Sequence, residues 1–179
     1  MELIGGVEQR PIVIAAYDPD WPRRFRREAG AIRSALGMTA VRVDHVGSTA
    51  VPGLAAKAIV DIQLSVDDVE DELAYVPRLE GAGYRLRVRE PGHRMLRTPA
   101  LDVHLHVCAA GGDWERRHLL FRDWLRRDLS DRQRYARCKR VLARRSWPTM
   151  QAYADAKAGA IVAATERAEA WARVSGWRP

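Results

Sequence analysis

Asp61 and Gln63 stand two apart in the run Ala58-Ile59-Val60-Asp61-Ile62-Gln63-Leu64-Ser65-Val66, and Asp102, His104 and His106 alternate within residues 101–107. On a strand, side chains two apart share a face. Pairing of these two segments would therefore gather five polar side chains on one face of a sheet. Such groups are costly to bury unless paired or ligated, so that face is expected to border a cleft. Carboxylates beside imidazoles suit a divalent cation carrying a polyphosphate, and His104 or His106 could serve as a general base near neutral pH. The other reading has Asp61 capping a turn and the histidines satisfied at a sheet edge. Alternation alone does not choose between them.

Ahead of the Asp61 segment lies Gly47-Ser48-Thr49-Ala50-Val51-Pro52-Gly53, a loop by its glycine and proline content. A small-residue loop lets backbone N–H groups approach phosphate oxygens, and the Ser48 and Thr49 hydroxyls add donors. Lys57 lies between loop and strand, placed to pair with a phosphate. The segment is neither a Walker A loop nor a Rossmann glycine pattern.

The surrounding pattern indicates how these residues are held. Residues 12–16, 41–46 and 58–66 read as strands, the last as a central strand buried on both faces. Asp20 and Pro22 start a helix whose Trp21, Phe25, Ile32 and Leu36 share one face, and Gly37 ends it. Asp67-Asp68 opens a shorter helix across Pro77. Residues 84–88 and 94–97 read as a hairpin, followed by the 101–107 strand. From Gly111-Gly112 onward the chain turns helical, with helices expected over 114–127, 131–145 and 149–173. The expectation is α+β, a mixed β-sheet flanked by helices with a C-terminal helical segment. The length of 179 residues, without repeat or linker, fits a single domain over 1–179 with its core at about 11–165.

The composition is 47% apolar and 30% charged, with no run of apolar residues able to span a membrane and no signal-peptide pattern at the N-terminus. Cys108 and Cys138 lack metal-ligand or redox spacing, so a cytoplasmic location is expected. The formal charge of +7 is unevenly placed. Residues 114–145 carry 12 basic and 4 acidic side chains, and the rest of the chain is close to neutral. Of the 30 basic residues 27 are arginine.

His45-Val46-Gly47-Ser48-Thr49-Ala50-Val51-Pro52-Gly53-Leu54-Ala55-Ala56-Lys57, followed by Ile59-Val60-Asp61-Ile62, resembles the signature of the GrpB family. The motif Tyr17-Asp18-Pro19-Asp20-Trp21-Pro22, the strand His104-Leu105-His106-Val107, the helix 114–126, and Tyr153 with Lys157 extend the resemblance over residues 11–165. It implies a nucleotidyltransferase-like fold and kinship with domains fused to some bacterial dephospho-CoA kinases. It also implies a Gly47-Ser48 phosphate loop, a metal held by Asp61 with Asp102 as a further carboxylate, and Gln63 at the second carboxylate position. The expected cofactors are Mg²⁺ or Mn²⁺ with a nucleoside triphosphate, ATP first, and nucleotidyl transfer to an acceptor that the sequence does not name. Because a neutral amide is a weak cation ligand, a nucleotide-binding module without turnover is the alternative.

Arg137, Arg140 and Arg144 line one side of the helix 131–145, opposite an apolar side of Tyr135, Cys138, Val141 and Leu142. They could form an anion patch for an acidic or nucleic-acid partner, or a solvated surface with internal ion pairs; the latter is preferred, since no aromatic residue interleaves them. Lys157 shares a helical row with Tyr153 and Ile161. Its ammonium either snorkels to solvent or points at a nucleotide phosphate.

Overall fold

The computed structural model describes residues 1–6 and 11–179. Its sheet has six strands: β1 (Glu2–Leu3), β2 (Arg42–Val46), β3 (Val60–Val66), β4 (Arg85–Glu90), β5 (His93–Arg97) and β6 (Val103–Ala109). They lie in the order β1-β4-β5-β6-β3-β2, and only β3 and β6 are parallel. Helices α1 (Trp21–Leu36), α2 (Val76–Gly81), α3 (Asp113–Arg127), α4 (Leu129–Ala143), α5 (Met150–Ala156) and α6 (Ala158–Ser175) flank it. This is the expected mixed sheet with a helical C-terminal third.

The period-2 pattern of β3 and β6 divides the two faces. Val60, Ile62, Leu64, Val66, Val103, Leu105 and Val107 join Trp21, Ile32 and Leu36 of α1 and Leu79 of α2 in one apolar core. The other face carries Asp61, Gln63 and Ser65, with His104 and His106 in register beside the first two. So β3 is buried on both faces, as the sequence indicates, but one of them is polar.

Helix α3 covers part of that polar face. Arg122 donates to Asp44 Oδ1 at 3.3 Å and to the His45 carbonyl at 3.2 Å, while Arg42 reaches Glu115 at 3.9 Å. The remainder, around Asp61, faces a cavity closed by α4, α5 and the chain before α6.

Several elements differ from the pattern-based expectation. Residues 12–16 form no strand and make only the Ala15–Ala56 bridge, pairing there with the chain that leads into β3 rather than with a strand of the sheet. The segment after Asp67-Asp68 passes through a 3₁₀ turn at Glu72–Ala74 before α2, which starts beside Pro77. The expected 149–173 helix is two helices meeting at Lys157. On α4, Tyr135, Ala136, Lys139 and Leu142 are buried, and Val141 is 52% exposed. The inner face is therefore rotated from the Cys138–Val141 side toward Lys139.

Asp131 fixes the C-terminal helices to one another. Only 1% exposed, it accepts hydrogen bonds from Trp124 Nε1 (2.7 Å), Arg167 (2.7 Å twice) and Arg134 (3.0 Å). Burial alone would raise its carboxyl, but the Arg167, Trp124 and Arg134 hydrogen bonds outweigh it and pull the pKa to about 2. With the folded value below the unfolded one of about 3.9, this stabilisation is complete above about pH 4 and fades as pH falls toward 2. Asp131→Asn should cost about 1–3 kcal/mol near neutral pH. Urea melts at about pH 6 and about pH 2.5 should show the difference from wild type shrinking in acid.

Candidate functional site

Asp61 sits at the edge of the cavity because the loop after β2 folds tightly against it. Gly47 has φ +67°, which glycine adopts without strain. A Cβ at position 47 would collide with Asp61 Oδ2 and lie 3.0 Å from the Asp61 Cβ. The glycine is thus needed for the close approach of backbone to carboxylate. Beyond it, Ser48–Ala50 form a 3₁₀ turn closed by Ala50 N–H to the Gly47 carbonyl.

Two histidines from β6 complete a cluster with that carboxylate. His104 Nδ1 lies 3.4 Å and His106 Nε2 3.7 Å from Asp61 Oδ1. The three donor atoms all fall within 4.8 Å of one another. Ligands about 2.1 Å from a tetrahedral metal stand roughly 3.4 Å apart, so the spacing fits a small cation. Burial alone would raise the Asp61 carboxyl, but the two imidazoles hold it well below the usual carboxylate range. It is an anion at any physiological pH.

Behind His106 runs a relay of hydrogen bonds. His106 Nδ1 is 3.1 Å from His93 Nε2, and His93 Nδ1 is 2.7 Å from Glu90 Oε1. Burial, reinforced by neighbouring His106, lowers the His93 pKa to about 4, so its ring is neutral. A carboxylate only accepts, so His93 donates from Nδ1 and accepts at Nε2 from His106 Nδ1–H. The other ring nitrogen of His106, Nε2, is the atom turned toward Asp61. Trp114 stacks on His93 with ring centroids 4.6 Å apart and on His118 at 3.5 Å, fixing the ring planes. His118 is satisfied within its own helix, with Nδ1 donating to the Trp114 carbonyl at 2.8 Å.

The cavity measures about 420 Å³, within the range of small-molecule sites. Ile14, Ile59, Phe121, Tyr135 and Tyr153 give it apolar walls, and Lys57, Lys139 and Lys157 line it. These are all the lysines in the chain. Lys157 Nζ stands 4.7 Å above the Tyr153 ring, and burial, then the nearby Lys57, lower its pKa to about 8.

Lys139 is 3% exposed and donates to the Ala55 carbonyl at 2.6 Å, with Ser48 Oγ 2.7 Å away. Pattern reasoning missed it because the helix phase favoured Cys138 and Val141. The rarity of lysine in so arginine-rich a chain was the available signal.

The other site residues expected from sequence fall in different places. Asp102 precedes β6 and is held by Arg24 at 2.5 Å and Thr98 Oγ1 at 2.7 Å; it does not join the Asp61 cluster. Gln63 is fully buried beside Asp44 and His106, neither amide atom has a hydrogen-bond partner among the described residues, and it is not part of the cavity lining. The Thr49 hydroxyl borders the cavity but is 3.0 Å from His45 Nε2 and is engaged there. Gly47, Ser48, Lys57 and Lys157 do line the cavity. Arg137, Arg140 and Arg144 lie on the exposed side of α4, with no ion pair among the described residues.

The family model described as "GrpB protein" matches residues 11–167. A UPF0157 protein of Halalkalibacterium halodurans is 52% identical over 162 residues, covering 89% of this chain and 83% of its own. One of Streptomyces coelicolor is 48% identical over 170 residues, covering 95% and 91%. A dephospho-CoA kinase of Mycolicibacterium paratuberculosis is 31% identical over 97% of this chain, which spans 50% of that protein. The crystal structure of the conserved protein GrpB from Enterococcus faecalis superposes with a TM-score of 0.78 at 30% identity, covering 87% of this chain and 96% of that one.

Gly47→Ala should disturb fold and cluster together, since the added methyl meets both the backbone restriction and Asp61. A loss of about 1–3 kcal/mol in chemical denaturation is expected. Gly53→Ala has positive φ but open space around it. It should cost less, and equal losses would remove the close-approach argument.

Proposed function

The chain belongs to the GrpB family, and on that premise we propose that it binds a nucleoside triphosphate in the cavity through one divalent cation. Asp61, His104 and His106 would hold the metal, which supplies a Lewis acid for phosphoryl oxygens. Lys57 and Lys157 face the same space and are placed to neutralise the phosphates, while the apolar walls suit a base. The observation that carries this reading is the convergence of an Asp–His–His donor set with all three lysines on one cavity.

The donor set bears on the identity of the cation and on the reaction. Two imidazoles per carboxylate favour Mn²⁺ over Mg²⁺, which prefers oxygen ligands. With Asp102 tied to Arg24 and Gln63 buried under α3, a two-metal arrangement lacks its carboxylates. A one-metal site supports nucleotide binding and polarisation of the phosphoryl chain, with nucleotidyl transfer as the reaction class that the family resemblance suggests. This reading takes both histidines as ligands rather than as the general base expected from the sequence.

The buried polar row of the sheet also gives the binding-without-turnover alternative its footing, since Gln63 replaces a carboxylate. A nucleic-acid partner for the Arg137, Arg140 and Arg144 side is a separate surface on the outside of α4. It predicts affinity falling steeply with salt. Among the described residues no helix is long and apolar enough to cross a membrane, and a cytoplasmic location remains part of this reading.

Calorimetry with Mn²⁺, then with Mn²⁺ and a nonhydrolysable ATP analogue, tests the proposal. Wild type should bind both, with Mn²⁺ preferred to Mg²⁺. Asp61→Asn should abolish metal binding, and His93→Ala should weaken it about 10–100-fold by releasing His106. Nucleotide binding unaffected by metal and by Asp61→Asn would overturn it. Pyrophosphate release with candidate acceptors then separates transferase from binding module.

A further inference from the structure

We propose that Ser48 and Lys139 form a nucleophile–base pair, in which Ser48 attacks a phosphorus centre held in the cavity. The choice of a phosphorus electrophile rests on the nucleotide reading above; the pair itself rests on geometry. Ser48 and Lys139 are 91 residues apart in sequence, yet Nζ lies 2.7 Å from Oγ, and both side chains line the cavity. The Ala55 carbonyl, 2.6 Å from Nζ, can only accept and so takes one N–H. A neutral amine held that way presents its lone pair, and the Ser48 hydroxyl becomes the donor. This is the arrangement a serine–lysine pair needs for proton removal.

The surroundings favour the neutral amine. Lys139 has no ion pair with a carboxylate among the described residues. Against this, the Tyr135 ring centroid lies 4.7 Å from Nζ and its face favours the ammonium, while burial keeps the Tyr135 phenol protonated beside Ser48. Facing charges come from Lys157 and Arg140, which disfavour the ammonium, and from Asp61, which favours it, with the Cys138 thiol adjacent. Burial is the largest influence, and together these lower the Lys139 pKa to about 7. A large share of Lys139 is then free amine near neutral pH.

In the first step Lys139 Nζ takes the Ser48 proton as the Oγ–P bond forms and the P–O bond to the leaving pyrophosphate or nucleoside diphosphate breaks. The leaving group carries the bonding electron pair away as an anion. Water or an acceptor hydroxyl then attacks the phosphoester. The Lys139 ammonium returns its proton to Ser48 Oγ as that oxygen departs, and the proton of the attacking hydroxyl passes to solvent. Ser48 is the catalytic residue here and Lys139 its base.

A fluorophosphonate probe tests the pair without metal or nucleotide. Its reaction forms the Oγ–P bond and expels fluoride, and it can be run in chelating buffer. Peptide mass spectrometry should place the adduct on Ser48 and find none in Ser48→Ala. The labelling rate should rise with pH through about 7, as Lys139 loses its proton. Lys139→Arg keeps a cation yet cannot act as a base, and Lys139→Met keeps the length. Each, shown to be folded by circular dichroism, should label at least about 100-fold more slowly.

No adduct on wild-type Ser48, or labelling of Lys139→Arg at the wild-type rate, would overturn the proposal and leave Lys139 as a loop-to-helix tie. Neither outcome touches the calorimetric test of metal and nucleotide binding, so the two readings fail separately.

Discussion

The Asp61 carboxylate is the constraint around which the rest of the molecule is arranged. A charged group on an interior strand is destabilising unless something opposite in character meets it. Here two imidazoles from the parallel neighbour meet it, at 3.4 and 3.7 Å. The loop that brings Gly47 against it tolerates no side chain at that point. The strand's other face is wholly apolar and packs on α1 and α2. One alternating strand thus supplies both the anchor of the core and the anionic corner of the cavity.

The helices complete what the sheet begins. The polar face of β3 is too large for the cavity to use, and α3 covers the portion bearing Gln63 and Ser65. Asp131 ties α3, α4 and α6 to one another, and this positions the inner face of α4 over the loop. On that face Lys139 bridges helix and loop through Ser48 and Ala55. The glycine-rich loop is therefore held from both sides, by Asp61 beneath and by Lys139 above.

Much of this was legible in the sequence, for physical reasons that differ by residue. The strand rows of Asp61, Gln63, His104 and His106 follow from period-2 alternation, which survives any tertiary detail. Asp102 has the right parity but lies just before β6, where Arg24, 78 residues distant, captures it. No local pattern announces such a partner. His93 and Glu90 sit around the hairpin turn, and their contact with His106 depends on β5 lying next to β6. Lys139 was hidden by a small error of helical phase, because a lysine on an inner face contradicts the hydrophobic pattern that sets the phase. The family resemblance in residues 45–62 is confirmed by the match over residues 11–167.

Cation binding between Asp61, His104 and His106 is the event on which the proposed function depends. A crystal of the protein soaked with Mn²⁺ and measured near the manganese absorption edge tests this directly. An anomalous peak bounded by Asp61 Oδ1, His104 Nδ1 and His106 Nε2 is expected. An absence of density there under saturating Mn²⁺, or a peak beside Asp102 instead, would contradict it.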